Sequence, residues 1–237
     1  MALQDFRAAI VDLDGTMVDT LGDFEVALNR TLADLDLPSV TRALVERTVG
    51  KGSEHLIRTV LAHQMVLPEA KGYGQACPAW TVDNLYERAW QGYQQHYRAI
   101  NGDFAQVYPG VAEGLQALRE AGLTLACLTN KPLAFARELL QAKELTGHFV
   151  QVFGGDSFER KKPDPLPLLK TCEALGIAPH DTLMVGDSSN DAHAGHAAGC
   201  AVVLVTYGYN HGEPIRQTPA LAWVDALTEI PSALAVR

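Results

Sequence analysis

Cysteine is scarce in this 237-residue chain, and what there is does not cluster. The four cysteines, Cys77, Cys127, Cys172 and Cys200, stand far apart, and none belongs to a C-x-x-C pair. That spacing argues against a disulfide scaffold or a zinc site and predicts free thiols in a reducing cytoplasm. Positive charge is also short: 19 Lys and Arg stand against 28 Asp and Glu, for a net charge of −9. An acidic balance disfavours nucleic acid and anionic membrane surfaces, so neither is expected as a partner. Long apolar runs are missing as well. No stretch approaches the roughly 18 apolar residues that a membrane span needs. The first residues carry Asp5 and Arg7 where a secretory leader would be apolar. The expectation is a soluble cytoplasmic protein, monomeric or homodimeric, with a small-molecule partner.

What the chain does have is one dense opening segment. Ala8-Ala9-Ile10-Val11 runs into Asp12-Leu13-Asp14-Gly15-Thr16. A short apolar run of this kind fits a fully buried strand. Asp12 then stands at the strand's C-terminal end and Asp14 in the loop beyond it. Ligands of open α/β sheets bind outside those carboxyl ends. Gly15 can adopt backbone angles that bring N–H groups near an anion.

After Thr16 the texture becomes helical. Apolar residues recur at helical spacing from Leu21 to Leu37, and residues 41–49, 53–67 and 81–100 repeat the pattern. Pro68 to Trp80 reads as a loop. From Tyr108 onward strands and helices alternate. Strand runs are expected at 123–128, 149–153, 182–185, 201–205 and 223–224, with helices between most of them. Alternation of this kind predicts an α/β fold, a Rossmann-like parallel sheet covered on both faces. The helical block is then an inserted cap. The expected division is a core of residues 1–18 and 105–237 and a helical cap of residues 19–104.

Polar residues gather where strands should end. They are Asp12 and Asp14, Thr129 and Asn130, Lys162 in the loop Arg160 to Pro165, and Asp187 with Asp191. One parallel sheet would bring all four groups to one edge. Carboxylates gathered there repel one another unless a cation sits among them. Oxygen-only donors favour Mg²⁺. A lysine, a threonine hydroxyl and backbone N–H groups beside glycine complete a cradle for a phosphoryl group. Each residue taken alone has an ordinary explanation, as a solvated strand end, a turn or a helix cap. Their joint order is what carries the signal. His193 and His196 lack a third ligand and read as a solvated helix face. Tyr86, Trp90, Tyr93 and Tyr97 form a stripe that reads as cap core.

The four motifs, Asp-x-Asp-Gly-Thr, Thr-Asn, Lys-Pro-Asp-Pro and Gly-Asp-x-x-x-Asp, resemble in order those of the haloacid dehalogenase superfamily of phosphatases. The resemblance spans essentially the whole chain. Within the superfamily, the segments Lys161 to Pro179, Val185 to Ser188 and Thr206 to Asn210 look most like the bacterial phosphoglycolate phosphatases. The resemblance implies a Mg²⁺-dependent phosphomonoesterase acting on 2-phosphoglycolate. It implies that Asp12 is the nucleophile and Asp14 the general acid and base. It places the metal on Asp12, Asp187 and the backbone carbonyl of Asp14, with Asp191 completing the acidic shell. Lys162, Thr129, Asn130, Gly15 and Thr16 would bind the phosphoryl group, and Lys162 would also offset charge on the nucleophile. Gly50-Lys51-Gly52 would be a cap loop reading the substrate; Lys51 departs from the neutral residue usual in the related enzyme, and its ammonium is expected on the substrate carboxylate. A sugar-phosphate phosphatase or phosphomutase of the same superfamily stays open as an alternative. So does a phospho-accepting regulatory module.

Overall fold

The computed structural model describes residues 1–66 and 81–235. The expected loop from Pro68 to Trp80, and Cys77 within it, lie outside the described residues. No helix among the described residues is long and apolar enough to cross a membrane.

The opening apolar run is β1 (Ala8–Val11), and all four of its residues are fully buried. Ala9 and Val11 pack into one apolar cluster and Ile10 into another, as alternation across a strand requires. After β2 (Val18–Asp19) come α1 (Leu21–Asp34), α2 (Arg42–Thr48), α3 (Ser53–Val66) and α4 (Val82–Ile100). The hydroxyl of Thr41 accepts from Leu44 N at the start of α2, and that of Thr81 from Asn84 N at the start of α4. Both are standard N-terminal caps. The chain then returns through β3 (Gln106–Val107), which pairs antiparallel with β2.

The remainder alternates. It comprises α5 (Val111–Glu120), β4 (Thr124–Leu128), α6 (Leu133–Ala142), β5 (Gln151–Phe153) and α7 (Leu166–Leu175). Then follow β6 (Thr182–Gly186), α8 (Ser189–Ala198), β7 (Ala201–Val205), β8 (Ala222–Val224) and α9 (Ile230–Ala233). One expectation needs trimming: β5 begins at Gln151, not Phe149. A 3₁₀ turn over Thr146–His148 takes the amide of Phe149 back to the carbonyl of Thr146, so that residue is unavailable to the sheet.

Six strands form one sheet in the order β5-β4-β1-β6-β7-β8, with every neighbouring pair parallel. β1 therefore lies between β4 and β6. Val11 is level with Cys127 on one side and Val185 on the other. The residues just beyond these three strands emerge together, at the edge where open α/β sheets bind ligands.

The helices between β2 and β3 bury a separate apolar cluster. It includes Leu28, Leu32, Leu56, Leu61, Tyr93 and Tyr97, and it meets the rest of the protein through Phe135 and Tyr209. The two crossings between this block and the sheet are tied by Asp23. Its buried carboxylate accepts from the amides of Gly102 and Phe104, each at 2.8 Å. Asp23→Ala leaves two amide donors without a partner. Each such loss costs about 1–3 kcal/mol when the donor is buried. The expected outcome is a destabilisation of about 2 kcal/mol or more, measured as a lower urea midpoint.

Candidate active site

Asp12 is the first residue beyond β1, and its amide donates to Val185 O at 2.9 Å. The sheet thus fixes its backbone. Lys162 reaches in from the loop before α7. Its buried ammonium stands 3.0 Å from Asp12 Oδ1, 2.7 Å from Asp191 Oδ1 and 2.9 Å from Leu128 O. Asp187 follows β6. Its Oδ1 accepts from the Thr16 hydroxyl at 3.0 Å and its Oδ2 from Tyr209 N at 2.6 Å. Asp191, in the first turn of α8, accepts on Oδ2 from the amides of Asp187 and Ser188 and from the Ser188 hydroxyl.

Asp12, Asp187 and Asp191 are all buried, and one carboxylate oxygen from each lies within 4.8 Å of the others. Burial pushes the Asp12 carboxyl up to about 7 against the pull of Lys162, with Asp191 adding to the rise. Burial, then Asp191 and Asp12, hold the Asp187 carboxyl well above the usual carboxylate range. For Lys162, burial works to lower the ammonium, but Asp12 and Asp191 more than reverse it and raise the group overall. Fully ionised, three carboxylates against one ammonium would leave two negative charges in a buried space, and the raised carboxyls reflect that burial and crowding. Oδ1 of Asp12 has the Lys162 ammonium at 3.0 Å and no other polar partner. An all-oxygen donor set of three buried acids around one ammonium fits a hard divalent cation.

Above this cluster is a cavity of about 40 Å³ between the sheet edge and the helical block. Asp12, Asp14, Thr129, Asn130 and Asp187 line its floor, and Phe24, Leu56, Tyr93 and Tyr97 come from the helices. Asp14 Oδ1 accepts from the Thr20 hydroxyl and from Lys131 Nζ, each at 2.8 Å. Gly50 O, in the loop between α2 and α3, accepts from Asn130 Nδ2 at 2.9 Å and Asn190 Nδ2 at 3.3 Å. The helical block is thereby bound across the mouth of the site.

The structure gathers Asp12, Asp14, Thr129, Asn130, Lys162, Asp187 and Asp191 at one edge, but several do other work than expected. The amide of Gly15 is spent on Val18 O. Its glycine is required because a Cβ there would lie 2.2 Å from Asp187 Oδ2, at a φ of +82°. Thr16 is fully buried, and its hydroxyl orients Asp187. Neither lines the cavity. The Asn130 carboxamide is likewise committed: Oδ1 accepts from Lys162 N, and Nδ2 donates to Lys162 O and Gly50 O. It is a strut between loops, not a free donor for phosphate. All three partners of the Lys162 ammonium are protein oxygens, so it orients Asp12 from behind the cavity wall.

Lys51 is exposed and does not line the cavity; Gly50 and Gly52 on either side of it do. His193 and His196 are exposed, as expected of a solvated face. The aromatic stripe divides. Tyr86 and Trp90 are half-buried packing, whereas Tyr93 and Tyr97 are also cavity wall. Two contributors escape sequence reasoning. Tyr209 ties Asp187 through its amide and Asp19 and Thr20 through its hydroxyl. Lys131, adjacent to Thr129-Asn130, places its buried ammonium on Asp14. The signal available was its position directly after a strand-end motif.

The family pattern described as haloacid dehalogenase-like hydrolase matches residues 9–205. A protein named phosphoglycolate phosphatase from Nitrosospira multiformis is 42% identical over 224 residues, 94% of this chain and 93% of that protein. One of the same name from Vibrio vulnificus is 38% identical, covering 97% of this chain and 96% of its own. A crystal structure from Haemophilus somnus, of a protein described as a predicted phosphoglycolate phosphatase, superposes with a TM-score of 0.87. It is 32% identical and covers 96% of this chain and 97% of that one. With the motifs in order, the strand-end cluster in place and relatives alike over nearly their whole lengths, the chain belongs to the haloacid dehalogenase-like hydrolase family.

Proposed function

We propose that this protein is a Mg²⁺-dependent phosphomonoesterase that converts 2-phosphoglycolate to glycolate and phosphate. The observation that carries the reaction class is Asp12: a buried carboxylate at the floor of a small cavity, paired with a lysine and clustered with two further acids. The named relatives supply the choice of substrate.

In this reading Asp12 attacks phosphorus, and an O–P bond forms as the ester P–O bond breaks. Asp14, whose carboxylate lines the same cavity, gives its proton to the departing alkoxide. Water then attacks the phosphoaspartate while Asp14 takes up its proton, and Asp12 returns to the carboxylate as phosphate leaves. Asp12 and Asp187 would hold Mg²⁺, with Asp14 adding its backbone carbonyl. When bound, the ion supplies charge stabilisation for the transferring phosphoryl oxygens. Both oxygens of Asp191 are taken by Lys162 and the loop before α8, which suits an organising role beside the metal. The Thr129 hydroxyl, on the cavity floor, would bind a phosphoryl oxygen.

The helical block of residues 19–104 acts as a lid in this account. Contacts from Asn130 and Asn190 to Gly50 O hold it down, and closure excludes bulk water.

The test is a substrate panel. With Mg²⁺, 2-phosphoglycolate is expected to have the highest kcat/KM against a set of hexose and pentose phosphates. Preference for a sugar phosphate would sink the substrate assignment and leave the reaction class standing. No turnover of any monoester would instead favour a phospho-accepting switch.

Asp14→Asn distinguishes the proton carrier from a bystander. Loss of a general acid typically costs about 10²–10⁴-fold. The expected loss on 2-phosphoglycolate is of that order. On an aryl phosphate, whose leaving group needs little protonation, the loss in the first chemical step measured by single turnover should be much smaller. Equal losses on both count against the acid role.

A further inference from the structure

The ammonium of Lys131 is in an unusual position. Its side chain is only 2% exposed, yet it makes one hydrogen bond, to Asp14 Oδ1. An ammonium has three donors. Two aromatic faces lie against it: the Phe24 ring centroid is 4.7 Å away and that of Tyr97 4.8 Å away. These faces favour a cation but offer it no oxygen.

A second polar group in the same cavity is likewise unfulfilled. The hydroxyl of Tyr97 is buried and has no hydrogen-bond partner. The ring is held firmly, stacked on Phe24 at 5.5 Å and on Tyr93 at 5.4 Å. Phe135 packs against it, tilted, at 5.2 Å. Folding leaves few buried hydroxyls unpaired, and an exception calls for a reason. Lys131 and Tyr97 both line this cavity, together with the apolar rings of Phe24 and Phe135.

We propose that Lys131 and Tyr97 form a carboxylate subsite that sets the enzyme's preference for a small phosphate ester bearing a second, carboxylate anion. The proposal rests on the phosphomonoesterase reading above and names the residues that distinguish its substrate. The carboxylate takes the spare donors of the Lys131 ammonium and the free Tyr97 hydroxyl. Its charge is matched by a buried cation, and the apolar surroundings strengthen that match. An ester with a neutral tail leaves both groups unfulfilled and is selected against for that reason. Lys131 comes from the sheet side and Tyr97 from α4 of the helical block. A carboxylate bridging them therefore also draws the two sides of the site together.

The experiment compares kcat/KM for 2-phosphoglycolate with that for ethyl phosphate, which replaces the carboxylate by a methyl group. It uses the full chain with Mg²⁺ present. The readout is the ratio between the two substrates. A hydrogen bond to a charged group is worth roughly 10- to 100-fold in such a ratio. Lys131→Met is expected to lower the ratio by about that amount, and Lys131→Arg to retain part of it. Tyr97→Phe removes only an oxygen with no partner in the free protein. It should lower the ratio about five- to tenfold while the thermal midpoint is no lower than that of the wild type. If Lys131 merely positions Asp14, both substrates lose rate equally and the ratio stays put, which overturns the proposal. Should Lys131→Met fail to fold, Tyr97→Phe decides alone: an unchanged ratio overturns the subsite. A wild-type enzyme with no preference for 2-phosphoglycolate overturns the substrate assignment and the subsite together. A wild-type preference that survives the substitutions overturns the subsite only.

Discussion

Asp12→Asn is expected to lower turnover of 2-phosphoglycolate by about 10⁴-fold or more, while the folded protein is at least as stable as the wild type. The size of the loss follows from removing the attacking oxygen, since knocking out a nucleophile costs that much or more in comparable covalent mechanisms. The stability half of the prediction comes from the crowding of the site. Asp12 contributes one of three buried carboxylates facing a single ammonium. The amide keeps the shape and removes one negative charge. Lys162 is not left unpaired, because Asp191 Oδ1 and Leu128 O still accept from it. Melting curves without added metal, beside steady-state rates with Mg²⁺, check both halves. Near wild-type turnover in Asp12→Asn contradicts the assignment of the nucleophile.

Removal of divalent metal should be nearly as damaging. Dialysis against a chelator is expected to lower kcat by about 100-fold or more, and added Mg²⁺ to restore it. Charge stabilisation by a bound cation is worth several kcal/mol, which converts to a loss of that order. The same cation should also stabilise the fold. A ligand present at 100 times its dissociation constant contributes about 2.7 kcal/mol. The thermal midpoint is therefore expected to rise with Mg²⁺ concentration. Asp187→Asn should weaken that rise, because Asp187 is one of the two side chains proposed to hold the metal. An enzyme whose rate and melting temperature both ignore the chelator has no cation in this cluster.

Much of the site was readable in the sequence because a parallel sheet does the assembling. Four motifs at strand ends meet because β1 lies between β4 and β6, and the unbroken apolar run at residues 8–11 suits a strand buried on both faces. What a residue does after it arrives was less readable. Gly15 suggested an amide for an anion, but its amide belongs to Val18 O and its missing Cβ makes room for Asp187. Asn130 suggested a phosphate donor, but all of its assigned bonds are to other loops. Such assignments depend on which neighbours compete for each donor, and that is a property of packing.

The two lysines show the same limit from opposite sides. Lys51 lies between glycines in a loop that faces the cavity, yet its own side chain turns to solvent. Lys131 merely follows Thr129-Asn130 in the sequence. Its environment comes from Phe24 and Tyr97, both far away in sequence and delivered by the helical block. No local pattern could have announced that an ammonium would be buried against two rings with a single oxygen partner.

The central claim is that phosphate passes through Asp12, and one measurement reaches it directly. The enzyme is mixed with 2-phosphoglycolate and Mg²⁺, quenched in acid during turnover and treated with borohydride, which reduces an acyl phosphate to an alcohol. Peptide mass spectrometry should then find Asp12, and neither Asp14 nor Asp187, converted to homoserine. Conversion at another aspartate, or at none under conditions that trap acyl phosphates, would contradict the account.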